Sequence, residues 1–233
     1  MSQSLSVQIL GFINQYLQMD LGKITVNCPY WSNKIKSGSV VIRGFQNGKG
    51  AAEEIKTELQ KRLPLGNLNE DLLTSLYIQK FAKKERIGID CSGLAFRVLE
   101  ELARLRYKNY PVDNLTQVFP EGITRVNVKK LTDIAYCTQI NDLKEVQTGD
   151  LIRMMGGKHV VVIIKSENNL ITYIHSSNAT STKGVHLSYI TIRKGLPLEK
   201  QNWQEKTKKG ENFGQRYYYP HKGDGIYRLK IFS

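Results

Sequence analysis

The hydrophobic period changes once along this chain, and that change limits the architectures open to it. Up to about residue 107 apolar positions recur every three or four residues, whereas from Gly149 onward they alternate or run together in short stretches. The strongest helical signal runs from Cys91 to Tyr107. It places Leu94, Val98, Leu99, Leu102 and Leu105 on one face, the pattern of a helix buried against a sheet. Further helices are predicted over residues 5–19, over AAEEIKTELQKRL between Gly50 and Pro64, and over LNEDLLTSLYIQKFAKK, while VVIRGF from Val40 reads as a strand. Residues 108–125 read as irregular and NVKKLTDIAY as a short helix. DLIRM, HVVVIIK, LITYIHS, VHLSYITI and IYRLKIF then read as strands, punctuated by turns such as Gly156-Gly157 and Asn168-Asn169. Helices followed by an antiparallel run of strands predict an α+β fold rather than an alternating α/β one.

With 233 residues, 40% apolar and 24% charged, the chain is long enough for one large domain or a domain with an added lobe, and its composition excludes disordered and collagen-like classes. Three cysteines, Cys28, Cys91 and Cys137, are too few and odd in number for a disulfide framework. The first basic residue is Lys23, and polar Gln8, Asn14, Gln15 and Gln18 interrupt the apolar positions before it. That pattern is an amphipathic helix rather than a signal peptide, so the chain is expected to be cytoplasmic as synthesised and to reach an envelope only by a non-classical route. The longest uninterrupted apolar run in the rest of the chain, Val160–Ile164, predicts no transmembrane segment. Basic residues exceed acidic ones by 13. The excess concentrates in residues 193–233, which hold ten basic and four acidic side chains, so an anionic polymer is an expected partner of that segment.

GIDCSGL places Cys91 at the start of the buried helix, with Asp90 before it and Ser92-Gly93 after it. Free N–H groups and the helix dipole favour negative charge there, which predicts a lowered thiol pKa and a nucleophilic thiolate. The same N–H groups can hold the oxyanion formed when a carbonyl is attacked. A thiol nucleophile needs a base, and His159 opens the strand HVVVIIK. A third group must orient that base. A hairpin turning at Asn168-Asn169 would bring His175, at the end of LITYIHS, beside His159.

These residues resemble the NlpC-type cell-wall peptidases, which have a papain-like fold and cleave amide bonds in peptidoglycan stem peptides. DCSGL at Asp90–Leu94 is similar to the family's nucleophile motif. GDLI at Gly149–Ile152 followed by HVVVII at His159–Ile164 is similar to the base motif, and IHSS at Ile174–Ser177 to the third. The resemblance covers about residues 77–192 and implies Cys91 as nucleophile, His159 as general base and His175 as the residue that orients it. It implies a helix-borne cysteine packed on an antiparallel sheet, peptidoglycan or another amide as substrate, and no cofactor. The family usually carries a tyrosine and a Gly-Gly pair just before its cysteine, and YIQKFAKKERIG has no such pair. Tyr77 and Gln79 fall where an oxyanion donor could originate, and Asp90 and Ser92 flank the thiol as further oxyanion or substrate contacts. The 55 residues from Ser92 to Val146 between the first two motifs form a long insertion. Residues 1–76 read as an N-terminal extension or lobe, and 193–233 as a basic segment completing the sheet, in one compact unit.

Other patterns point elsewhere less well. Gly44–Gly50, between a strand and a helix, has the wrong spacing for a phosphate-binding loop and lacks Ser or Thr after Lys49. The four histidines show no zinc-site spacing, so no metal is expected, and His186 is a fallback for the orienting role. Tyr217–Tyr219 read as packing, and Cys28 and Cys137 as inert. Two rivals share part of this reading: an acyltransferase or deamidase of the same fold, and a non-catalytic basic module that binds an anionic polymer.

Overall fold

Asp90 starts the helix around which the chain is built. In the computed structural model, which describes residues 3–63, 73–107 and 115–233, its carboxylate accepts a hydrogen bond from the Gly93 N–H and caps the helix Cys91–Arg106. Five further helices are described. In chain order the six are α1 (Gln3–Leu17), α2 (Ala52–Arg62), α3 (Ser75–Glu85), α4 (Cys91–Arg106), α5 (Val128–Leu131) and α6 (Phe213–Tyr217). Leu94, Val98, Leu99 and Leu102 of α4 are fully buried, as their spacing requires.

Eleven strands follow the same order: β1 (Met19–Asp20), β2 (Thr25–Val26), β3 (Lys34–Lys36), β4 (Ser39–Ile42), β5 (Cys137–Ile140), β6 (Leu151–Met154), β7 (His159–Glu167), β8 (Leu170–Ser177), β9 (Gly184–Thr191), β10 (Asn202–Trp203) and β11 (Gly225–Leu229). Seven of them form one antiparallel sheet in the order β10-β9-β8-β7-β6-β11-β5. The fold is therefore α+β.

The central strands are covered on both faces, which is why HVVVII shows no alternation. Val160, Val162 and Ile174 face the cluster that contains α4 and the α1 residues Ile9 and Ile13. Val161, Ile163 and Tyr173 face a second cluster closed by Trp203 and Phe213. The described part of residues 1–76 thus shares a core with the segment that carries the motifs, and the C-terminal segment supplies much of the second layer and two strands. The turn at Asn168-Asn169 forms as expected, with both residues at positive φ (49° and 59°) and Glu167 paired with Leu170.

Differences from the sequence reading lie where elements are short. The helix predicted over residues 5–19 spans Gln3–Leu17. Of LNEDLLTSLYIQKFAKK, the helix covers the portion from Ser75, and residues 68–72 lie outside the described residues, as do Pro64 and 108–114 of the irregular stretch. NVKKLTDIAY contains only one turn of helix, Val128–Leu131, and the chain then enters β5, which the sequence reading missed. β5 has one neighbour, β11, about 90 residues away, so no local pattern announces it. No helix among the described residues is long and apolar enough to cross a membrane.

Candidate active site

The start of α4 is pinned from below. Lys49, in the glycine-rich segment that superficially resembles a phosphate loop, is buried, and its Nζ donates to Asp90 Oδ1 (2.8 Å) and to Ser92 Oγ (2.5 Å). The Asp90 N–H donates to the Gly48 carbonyl (2.9 Å). Gly93 is required by this contact, because a Cβ there would lie 2.7 Å from the Gly48 oxygen. Asp90 and Ser92 are held by Lys49 while lining, with Cys91, the cleft over the thiol. The Cys91 N–H group, in the first turn, has no acceptor among the described residues, and the Ser92 N–H lies against the Cys91 sulfur.

α4 packs against β7 and β8, and the Cys91 sulfur lies beside the Val160 N–H, one residue past His159. No hydrogen bond joins Cys91 to the His159 ring. His159 instead packs edge-on against Phe213, and its Nε2 lies 2.8 Å from His175 Nδ1. The predicted pair of histidines does meet, and the chain of contacts continues. His175 faces His186 across β8 and β9 as a cross-strand partner, with 2.9 Å between their Nε2 atoms. His186 Nε2 lies 2.9 Å from Glu205 Oε2, and His175 Nε2 lies 3.4 Å from the same oxygen. His186 Nδ1 is 3.0 Å from the Gly184 carbonyl. The result is a buried line, His159–His175–His186/Glu205, in which His186 is added to His175 rather than replacing it. Glu205 sits in the basic C-terminal segment, and its sequence context carried no sign of this place.

The tautomers follow from the ends of the line. An Nε2–H of His159 donating to His175 Nδ1 leaves His159 Nδ1 free to accept a proton, and leaves His175 Nε2–H to donate toward Glu205. Burial, reinforced by the other histidines, holds His159 well below its ordinary pKa, and burial brings His175 down to about 4. Burial acts to raise Glu205, yet the hydrogen bonds from His175 and His186 outweigh it and hold the carboxyl at about 2. The line therefore ends in a carboxylate. His175, His186 and Glu205 also offer three ligand atoms within 4.8 Å of one another, close enough to share a divalent ion; in the hydrogen-bonded arrangement they serve one another.

One expectation is reversed. Burial, then Asp90, push the Cys91 thiol up to about 12, outweighing the Val160 N–H, Lys49 and the Ser92 N–H at the helix start. At neutral pH the pair is a neutral thiol with a neutral imidazole. Alkylation of Cys91 by iodoacetamide should therefore be slow at pH 7 and rise about tenfold per pH unit to pH 9. Peptide mapping would show this, and a rate that levels off near pH 7 would contradict it. Cys91 should still react before Cys28 and Cys137, since it is 7% exposed against 0% and 2%.

A cleft of about 450 Å³ opens over the thiol, lined by Cys91, Tyr30, Ser32, Asn127 and Lys158 among others. Tyr30 comes from residues 1–76, joined to Ile89 by a bridge just ahead of α4, and its hydroxyl donates to Ser32 Oγ at 3.0 Å. The sequence reading passed over it, because CPYW lies about 60 residues before the cysteine. Tyr77 and Gln79 do not line this cleft. Tyr77 stacks on Phe81 in α3, and the Gln79 amide donates to the Asn27 backbone carbonyl and side chain, each at 3.1 Å.

No protein-family model, curated protein or solved structure matches this chain.

Proposed function

We propose that this protein is a cysteine hydrolase of papain-like, NlpC type that cleaves amide bonds in peptidoglycan stem peptides. The observation that carries the reading is the line of imidazoles ending at a carboxylate, which begins at the strand residue next to the amide on which the Cys91 thiol rests. In the reaction, His159 Nδ1 takes the thiol proton as the sulfur bonds to the carbonyl carbon. The oxyanion is received by the Cys91 N–H group and by the Tyr30 hydroxyl, whose proton turns to it from Ser32 Oγ. The C–N bond then breaks, and the proton on His159 passes to the departing amine. Water, deprotonated by the same nitrogen, cleaves the thioester and releases a carboxylic acid.

His175 keeps the proton of His159 on Nε2, and Glu205 stabilises the imidazolium that forms in passing. A neutral resting pair makes His159 a general base in the chemical step rather than half of a preformed ion pair. Mass spectrometry of defined muropeptides, incubated with the protein and with Cys91→Ala, tests the reading. Stem peptides shortened at one amide bond by the first and untouched by the second are expected. Intact peptides in both would reject it, and an added amine in place of water would make the protein a transferase.

A further inference from the structure

Beside the cleft lies a second cavity of about 370 Å³, and its walls are of one sign. Lys34 of β3, Lys80 and Lys83 of α3, Lys183 before β9 and Lys208 after β10 all line it, and no carboxylate does. None of the five has an ion-pair partner among the described residues. By contrast, the cavity that holds Lys144, Arg193 and Lys194 also holds Asp142 and Glu167. The basic C-terminal residues do not form one patch either. Arg228 is spent on Asp150 and Arg216 lies near Glu211, and of Lys206, Lys208 and Lys209 only Lys208 lines the lysine cavity.

Gathering five ammonium groups around one hollow costs self-repulsion that a bound anion would offset. The Lys208 ammonium is already pressed below its ordinary pKa by burial and by the charges of Lys183 and Lys83. Tyr30 and Ser32 line both this cavity and the cleft over Cys91, so the two hollows adjoin at these side chains.

We infer that the lysine cavity is a substrate subsite that takes a multiply anionic group, two or more carboxylates or a phosphate, attached next to the amide that Cys91 attacks. The inference rests on the hydrolase reading for its word "substrate" and on the cavity alone for its word "anionic". Trp31 lines the cavity and the other tryptophan, Trp203, is buried in the second core, so tryptophan fluorescence reports on it.

Inorganic tripolyphosphate titrated into Cys91→Ala should change that fluorescence saturably, and Lys80→Gln/Lys83→Gln should weaken its binding about tenfold or more. Both lysines are exposed on α3, so the variant keeps the fold. Lys144→Gln/Lys194→Gln, the same charge change elsewhere, should leave binding within twofold. Equal affinities in the two double variants would overturn the subsite. On the active protein, Lys80→Gln/Lys83→Gln should raise KM for an acidic peptide with kcat unchanged, and amidation of that peptide's acids should abolish the difference. Weaker tripolyphosphate binding with an unchanged KM would assign the cavity to a separate polyanion and overturn the substrate assignment. Absence of any peptide cleavage would reject the hydrolase reading and leave the binding result standing.

Discussion

Cys91→Ala should leave no measurable turnover of a stem peptide, and His159→Ala should lower kcat about 10³-fold, within the range that general bases contribute. The two need not differ by a simple ratio, because residues that act as a unit are not additive. What distinguishes this account is the order of losses further along the line. His175→Ala removes the acceptor that fixes the His159 tautomer and should cost more than Glu205→Gln, which leaves the same hydrogen-bonding shape without the charge. For Glu205→Gln a loss of roughly 10-fold to 100-fold is expected, the scale of outer partners that orient a functional histidine. Its effect should fall on kcat and leave KM alone, since Glu205 does not line the cleft. Full activity in Glu205→Gln would show that the line of imidazoles ends at His175 and that the buried acid is structural.

The second large effect lies outside the site, in a residue that the motifs carry. Asp150 of GDLI is fully buried. Its carboxylate takes the Arg228 guanidinium at 2.8 and 2.9 Å and the Gln147 N–H at 2.8 Å. Arg228 belongs to β11, inserted between β6 and β5, so this pair ties the C-terminal strand to the strand that leads into β7. Asp150→Ala leaves a largely buried guanidinium without its partner and should destabilise the fold by about 3–5 kcal/mol. Urea unfolding would read this as a lower midpoint at an unchanged m-value. Joint replacement of the pair, Asp150→Leu with Arg228→Met, should recover most of the loss, because an apolar pair needs no desolvation. A double variant as unstable as the single would mean that the Gln147 contact, not the ion pair, sets the effect.

These cases show what a single sequence can and cannot disclose. α4 and the β7–β8 hairpin were legible because their causes are local: an apolar face at helical spacing, a cap at Asp90, and two asparagines suited to positive φ. The meeting of His159 and His175 followed from that hairpin. Glu205 and Tyr30 were not legible: Tyr30 lies about 60 residues before Cys91, and Glu205, 19 residues past His186, is carried there beside the edge strand β10 that only tertiary pairing creates. The pKa of Cys91 was misjudged for a related reason. A helix N-terminus is visible in sequence, whereas the burial and the Asp90 charge that outweigh it belong to the folded state. Lys49 shows the converse, a residue in a segment read as a turn leading into a helix, whose place is beneath the nucleophile's helix.

The central claim is that Cys91 forms a covalent bond to the acyl half of its substrate. Acid quenching during turnover of a defined stem peptide, followed by intact-protein mass spectrometry and peptide mapping, measures that bond directly. The account predicts a mass increase equal to the acyl fragment, located on the peptide that contains Cys91 and absent from Cys91→Ala. Turnover that proceeds without any adduct and survives in Cys91→Ala would contradict it.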